Sequence, residues 1–172
     1  RYQRTKGGIK LHVLLSGDDY VPEYVVLSEA RKADVRVAQD LSLPKDSIVV
    51  MDRAYIDFDM LERWTLGGVY WVTRSKSNLE FLACERREVP RTGGILRDEI
   101  VVRLVEMIGA GERFRQRIRR IVVKGEEPGE EITLLTNHMD FGATTISRIY
   151  RHRWQIEVFF RSLKQNLKIK TF

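Results

Sequence analysis

Apolar residues recur with two different periods in the part of the chain before residue 75. Short runs of branched residues bounded by Gly, Pro, Asp or Ser predict strands, and apolar residues three or four positions apart predict amphipathic helices. The predicted order is strand, strand, helix, strand, helix, strand. The six elements are Ile9–Leu15, Tyr24–Ser28, Ala33–Leu41, Ser47–Met51, Phe58–Leu66 and Val69–Thr73.

Helical periodicity disappears between residues 75 and 137, where strand-like runs alternate with glycine-rich turns. This pattern predicts a β-rich segment. Its run RFRQRIRRIVV places Arg113, Arg115, Arg117 and Arg119 on one face of a predicted strand, which is either a cationic ribbon that meets phosphates or a solvated face. The strand-like runs are Glu80–Ala83, Glu99–Val105, Arg113–Val123 and Ile132–Thr136.

The last part of the chain, from residue 143 to 172, contains no Pro or Gly and predicts one helix of seven or more turns. On a helical wheel, Tyr150, Arg153, Glu157 and Lys164 fall within about 60° of one another, beside a stripe of apolar residues. This arrangement is either a functional site or an ordinary helix surface, because Arg and Glu four residues apart often form an ion pair.

Composition favours one globular domain that binds a polyanion. The 172 residues are 43% apolar and 31% charged, with a formal net charge of +6. The single cysteine excludes an internal disulfide or a cysteine-based zinc cluster, and the three histidines show no ligand spacing. No apolar run is long enough to cross a membrane, so we expect no membrane partner and a cytoplasmic protein.

The acidic residue of greatest interest outside the last helix is Asp52, which directly follows the predicted buried strand Ser47–Met51. Open α/β sheets place their chemistry at the carboxyl ends of such strands. Asp52 is therefore either a catalytic carboxylate or the cap of a strand-to-helix turn. The other acids of the first segments are interpreted as turn formers or as a solvated face: Asp18, Asp19, Asp34 and Asp40. The tryptophans Trp64, Trp71 and Trp154 are predicted to pack in the core rather than to stack on bases.

Two motifs resemble those of the DDE transposases of bacterial insertion sequences, specifically the insertion sequence four group. The spacing Y-x2-R-x3-E-x6-K resembles the signature around the third acidic residue of that family, and SIVVMDRAY resembles its second-carboxylate motif. The resemblance implies that Asp52 and Glu157 are catalytic, metal-binding carboxylates of a ribonuclease H-like core, an α/β fold in which helices cover a mixed sheet. It also implies a set of DNA-binding residues: Tyr150, Arg153 and Lys164 along the transposon end, and Arg53 on a phosphate. Arg53 could equally pair with Glu62 or another carboxylate.

The family places its first catalytic Asp on a strand that would precede Arg1. We therefore expect residues 1–172 to form a single truncated catalytic domain, with residues 75–137 as a β-rich insertion, and to be inactive without that carboxylate. The resemblance further implies two Mg²⁺ or Mn²⁺ ions in the full-length protein, held by carboxylates within roughly 4 to 8 Å of each other. It implies cleavage and strand transfer on double-stranded transposon ends and target, by a homodimer that associates with the bacterial nucleoid when bound to DNA.

Two alternative functions remain open at this point. Another ribonuclease H-like nuclease would use the same carboxylates without strand transfer, so that no joined products would form. A non-catalytic basic module that binds nucleic acid predicts that Glu157→Gln leaves every property of the full-length protein intact.

Overall fold

The computed structural model describes residues 9–17, 22–29, 34–103 and 117–166. The chain divides into two compact units, each of which is described by itself. The larger unit is Leu43–Arg151, and the smaller unit combines Arg1–Ser42 with His152–Phe172. The predictions made for Asp18, Asp19, Arg113 and Arg115 lie outside the described residues.

The larger unit is built on a mixed sheet of six strands in the order β3-β4-β8-β7-β6-β5. Strands β3 and β4 are parallel, and every other neighbouring pair is antiparallel. The predicted α/β class with a mixed sheet is therefore confirmed, and the segment 75–137 supplies four of the six strands. The strands are β3 Ile48–Met51, β4 Tyr70–Arg74, β5 Phe81–Arg86, β6 Ile95–Arg103, β7 Ile118–Lys124 and β8 Glu131–Thr136.

Helix α2, Phe58–Leu66, makes the connection between the parallel strands β3 and β4. Its first turn is capped by Asp57, whose carboxylate accepts a hydrogen bond from the Met60 N–H at 2.8 Å. The helix ends at Gly67, and Gly68 then adopts a φ of +76°, which glycine reaches without steric cost. Local sequence thus fixes both ends of α2, close to the predicted bounds.

Helices cover both faces of the sheet at β4. The Trp71 indole donates a hydrogen bond to the Thr65 hydroxyl of α2 at 3.1 Å, whereas Val72 packs against Ala143 and Ile146 of helix α3, Ala143–Arg151. Because successive strand residues point to opposite faces, α2 and α3 lie on opposite sides of the sheet. This double covering explains why the three consecutive residues Trp71, Val72 and Thr73 of β4 are all buried.

The tryptophan predictions are confirmed for two residues and wrong for the third. Trp71 is fully buried and Trp64 is 8% exposed, so both belong to the core. Trp154 is 52% exposed. It is the first residue of helix α4, Trp154–Asn166, in which none of the residues is fully buried.

The smaller unit contains a two-stranded antiparallel sheet and two helices among its described residues. Strand β1, Ile9–Leu15, pairs with β2, Pro22–Glu29, as the predicted hairpin. Helix α1 is Asp34–Gln39, in which Val37 and Ala38 are buried. Helix α4 is Trp154–Asn166.

The prediction of one long C-terminal helix is wrong. Helices α3 and α4 are separated by a turn at His152 and Arg153. The N–H groups of Gln155 and Ile156 bond to the carbonyls three residues earlier, so the backbone tightens at this point. The boundary between the two units falls at the same place. The two helices therefore belong to different units, and the helical wheel that joined Tyr150 to the other signature residues does not apply.

Candidate active site and nucleic-acid interface

Asp52 directly follows β3, and its side chain caps a short 3₁₀ turn, Arg53–Tyr55. The carboxylate oxygen Oδ1 accepts a hydrogen bond from the Ala54 N–H at 2.9 Å. The second oxygen has no hydrogen-bond or ion-pair partner among the described residues. The side chain is half-buried. Asp52 is thus a carboxylate whose position is fixed by one hydrogen bond. Because the cap uses only Oδ1, the other oxygen can still bind a ligand.

Glu157 lies in the first turn of α4, where a carboxylate is favoured by the helix dipole. Its Oε1 accepts a hydrogen bond from Arg153 Nη2 at 2.7 Å, and the two side chains are 40% and 22% exposed. The ion pair considered from the sequence is therefore present. It leaves Oε2 available, because no other partner of Glu157 exists among the described residues.

The other residues of the Y-R-E-K signature are divided between the two units. Tyr150 is half-buried in the last turn of α3, where it packs against the core of the larger unit. Arg153, Glu157 and the exposed Lys164 belong to the smaller unit, and Asp52 belongs to the larger one. Within the described ranges, no group of three or more His, Cys, Asp or Glu side chains is placed to hold a metal ion.

Carboxylate oxygens are nevertheless the donors that Mg²⁺ and Mn²⁺ prefer. Asp52 and Glu157 each offer one such oxygen while the other is fixed by a local hydrogen bond. The donor chemistry of the two predicted ligands thus fits a hard divalent cation.

A basic cavity of about 310 Å³ opens in the larger unit beside the residue that follows Asp52. We call it the Arg53 cavity. Its lining includes five cationic side chains but a single carboxylate, Glu131. The cations are Arg53, Arg74, Lys76, Arg97 and Arg120.

Four of these five cations were not singled out in the sequence. The sequence does contain a signal for two of them, because Arg74 ends β4 and Lys76 follows it, much as Asp52 and Arg53 follow β3. The two strands are parallel, with Met51 opposite Thr73, so the residues that follow them meet at one edge of the sheet. The pairing of β3 with β4 could have been proposed from the strand-helix-strand pattern.

The predicted face of four arginines is wrong for Arg119. This residue is 1% exposed, and its guanidinium forms a two-point ion pair with Asp98 on the neighbouring strand β6, at 2.8 and 2.6 Å. Arg117 is exposed but is paired with Glu85 at 2.7 Å. A guanidinium can be buried only where a carboxylate pairs with it. The alternation of side chains along one strand does not show whether the neighbouring strand provides that carboxylate, which is why the burial of Arg119 was not predicted.

Arg119 also holds the loop that leads into α3. Its Nη1 donates hydrogen bonds to the carbonyl oxygens of His138, Met139 and Phe141. Arg87 adds a second hydrogen bond to the Met139 carbonyl at 2.8 Å. The Asp98–Arg119 pair thereby connects the middle of the sheet to the start of the helix that carries Tyr150.

His138 in this loop is a packed core residue. Its ring lies 4.3 Å from the Tyr70 ring and 3.9 Å from the Phe141 ring, between centroids. Nδ1 accepts a hydrogen bond from the Phe141 N–H at 3.3 Å. Burial lowers the pKa of His138 below 6.5, and nearby Arg119 lowers it further, while Asp140 acts in the opposite direction. The neutral imidazole is therefore favoured.

None of the helices in the described residues is both long and apolar enough to span a lipid bilayer.

Comparison with known families identifies the class of protein. The sequence profile of the transposase DDE domain matches residues 2–172, and the chain belongs to that family. The resemblance to DDE transposases of insertion sequences, made from the two motifs, is thus confirmed.

Individual relatives narrow the class to transposases of insertion sequences. The chain is 29% identical over 168 residues to the "Putative transposase y4zB" of Sinorhizobium fredii (strain NBRC 101917 / NGR234), covering 96% of this chain and 46% of that protein. It is 28% identical over 170 residues to the "Probable transposase for insertion sequence element IS5377" of Geobacillus stearothermophilus, covering 99% and 44%.

A third relative supports the insertion sequence four group. The chain is 23% identical over 132 residues to the "Transposase InsG for insertion sequence element IS4" of Escherichia coli (strain K12), covering 72% of this chain and 28% of that protein. The chain therefore spans less than half the length of each of these relatives.

Proposed function

We propose that this chain is part of the catalytic domain of a transposase that cuts and joins DNA, with Asp52 and Glu157 as ligands of divalent metal ions. The observation that carries the proposal is the position of Asp52. It follows a parallel strand at the sheet edge where cations converge, and it keeps one carboxylate oxygen available. Membership in the transposase DDE domain family supports the assignment.

A local hydrogen bond orients the carboxylate of each proposed metal ligand, Asp52 and Glu157. The Ala54 N–H fixes one oxygen of Asp52, and the Arg153 guanidinium fixes one oxygen of Glu157. Two Mg²⁺ or Mn²⁺ ions, when bound, would activate the attacking oxygen and neutralise the leaving oxygen of a phosphodiester. Fixing a carboxylate before it binds a cation reduces the entropy lost on binding.

The remaining signature residues are proposed to bind DNA. Arg153 and Lys164 would contact backbone phosphates, Arg53 would contact a phosphate beside Asp52, and the Tyr150 hydroxyl would bond a phosphate or its ring would stack on a base. In this proposal Arg153 has two roles, since the same guanidinium orients Glu157. Such contacts make the affinity for DNA fall with salt.

The partners and the organisation of the whole protein belong to the same proposal. The substrates are double-stranded transposon ends and target DNA, bound by a homodimer in the full-length synaptic complex. Residues 75–137 form a β-rich insertion within one catalytic domain, although their strands are part of the central sheet. The protein is proposed to reside in the bacterial cytoplasm and to associate with the nucleoid when bound to DNA.

The test uses the intact transposase that carries this sequence, with DNA of its own element. Asp52→Asn and Glu157→Gln should each reduce nicking of the element's end and strand transfer by several orders of magnitude, while binding of the end in EDTA is retained. Asp40→Asn and Glu126→Gln are the matched controls. Both acids are exposed, and each substitution removes the same single negative charge as the corresponding test variant. Both controls should remain active.

Three other outcomes would revise the proposal. Cleavage that survives in Asp52→Asn or Glu157→Gln would contradict the assignment of the metal ligands. Cleavage by the wild-type protein without any joined product would favour another ribonuclease H-like nuclease. Binding of DNA without cleavage, unchanged in Glu157→Gln, would favour a non-catalytic module.

A further inference from the structure

We propose that the Arg53 cavity is a binding site for the backbone of a DNA strand that passes beside Asp52. The inference rests on the proposed function, and it names a surface outside the Y-R-E-K signature that holds the substrate. To Arg53, which the proposed function already assigns to a phosphate, it adds Lys76 as a second phosphate-binding residue.

The position of the cavity follows from the register of the sheet. Met51 and Thr73 are opposite each other in the parallel pair β3–β4, so Arg53 and Lys76 project from adjacent chain segments beyond the strand ends. The floor lies on β6, β7 and β8, where Arg97, Val122 and Thr133 stand opposite one another across the strands. Ile121, Val123 and Leu134, their neighbours along the strands, point to the α3 side. The cavity therefore opens on the opposite face.

The charges of the cavity are only partly compensated. Three arginines of the lining have carboxylate partners in three ion pairs: Arg74–Glu130 at 3.5 Å, Arg97–Glu131 at 3.1 Å and Arg120–Glu99 at 2.6 Å. Within the described ranges, neither Arg53 nor Lys76 has an ion-pair partner. A concave surface with two uncompensated cations attracts anions, because its walls focus the electric field.

The ion pair of Arg120 also fixes the position of its side chain. Arg120 donates both Nε and Nη2 to one oxygen of Glu99, at 3.0 and 2.6 Å, and its side chain is only 21% exposed. Its guanidinium is thereby held in one orientation, which lowers the entropy cost of binding a ligand. Arg97 and Arg74 remain 54% and 38% exposed and can reach a phosphate oxygen while they stay close to their carboxylates.

The size and the lining favour a nucleic-acid backbone over a buried small molecule. About 310 Å³ is at the lower end of small-ligand sites, which are mostly apolar. Here the lining is mostly charged or hydroxylated, with the hydroxyl groups of Ser77 and Thr133 available to donate hydrogen bonds to phosphate oxygens. These are the groups that fix the position of a strand without reading its sequence.

The test measures binding of DNA to this chain in EDTA, by fluorescence anisotropy of a labelled duplex over a series of salt concentrations. Lys76→Gln and Arg53→Gln should each weaken binding about three- to tenfold and lower the slope of log K against log salt by about one. Lys124→Gln and Arg63→Gln are the matched controls, because both side chains are exposed and lie outside the cavity. The controls should change the affinity less than twofold.

Several results would overturn the inference. If all four variants weaken DNA binding equally, the effect would be one of net charge and not of the cavity. If the wild-type chain does not bind duplex DNA at low salt, the cavity would have no proposed ligand. If inorganic phosphate displaces the labelled duplex more strongly than sodium chloride does at the same ionic strength, the cavity would be assigned to a free anion. Tighter binding of duplex RNA of the same length would assign it to RNA.

The proposed function is tested separately by Asp52→Asn in the intact transposase. If Lys76→Gln and Arg53→Gln behave like their controls while Asp52→Asn still abolishes cleavage, the cavity assignment fails and the proposed function stands. If the cavity variants weaken binding while Asp52→Asn retains cleavage, the metal assignment fails and the DNA site stands.

Discussion

Removal of Asp98 should cost more stability than removal of any exposed acid of the chain. Asp98 and Arg119 form two charge-assisted hydrogen bonds at 2.8 and 2.6 Å, and their side chains are 3% and 2% exposed. Asp98→Ala leaves the guanidinium buried without its carboxylate, which typically costs about 3–5 kcal/mol. This is a large part of the total of about 5–15 kcal/mol that a folded domain has.

The assay is urea unfolding of this chain, followed by tryptophan fluorescence, since Trp71 is fully buried. The matched control is Glu85→Ala, which breaks the Arg117–Glu85 ion pair of 2.7 Å between side chains that are 54% and 66% exposed. Exposed pairs of this kind contribute about 0–1 kcal/mol. The two ion pairs have similar N–O distances but differ in burial, so we expect Asp98→Ala to lower the free energy of unfolding far more than Glu85→Ala does.

A loss below about 1 kcal/mol for Asp98→Ala, or a loss equal to that of Glu85→Ala, would refute this reasoning. The double variant Asp98→Leu with Arg119→Met provides a second check, because replacing both partners by apolar groups removes the unpaired charge. It should be clearly more stable than Asp98→Ala. A double variant as unstable as the single one would mean that the bonds from Arg119 to the 138–141 loop carry most of the energy.

Two further predictions concern the larger unit. Because the pKa of His138 is lowered in the folded state, its contribution to the free energy of unfolding should be complete above pH 6.5 and should decline as the pH falls below that value. His138→Phe should reduce this decline in urea titrations at several pH values, whereas replacing the exposed His152 should leave it unchanged. Gly68→Ala should cost about 1–2 kcal/mol in the same assay, because φ is +76° and the added methyl group would lie 2.9 Å from Lys45 Cγ. Gly67→Ala, at φ −75° with contacts of 3.4 Å, should cost far less, and an equal cost would contradict the argument.

Local sequence was sufficient for the elements of the larger unit because their signals are strong and short in range. The apolar run before Asp52, the Asp57 cap and the Gly67-Gly68 pair determine β3 and α2 nearly to the residue. The position of Asp52 at the end of a parallel strand followed from the same pattern. Its contact with the Ala54 N–H satisfies the capping alternative without excluding the catalytic one.

The features that could not be predicted depend on partners distant in the sequence. The turn at His152 and Arg153 contains neither Pro nor Gly, and it occurs where the chain passes from one packing unit to the other. The burial of Arg119 depends on Asp98, a residue 21 positions away. The Arg53 cavity depends on the register of all six strands of the sheet, although the basic residues at the end of β4 and directly after it could have been noticed.

The most direct test of the central claim is the distance between the carboxylates of Asp52 and Glu157 in a crystal structure of the intact transposase with its DNA end and Mn²⁺. The proposal predicts anomalous peaks for two ions about 3.5 to 4 Å apart, with both carboxylates coordinated and within roughly 4 to 8 Å of each other. A separation beyond about 12 Å, or Mn²⁺ bound to other acids in a complex that cleaves DNA, would contradict it.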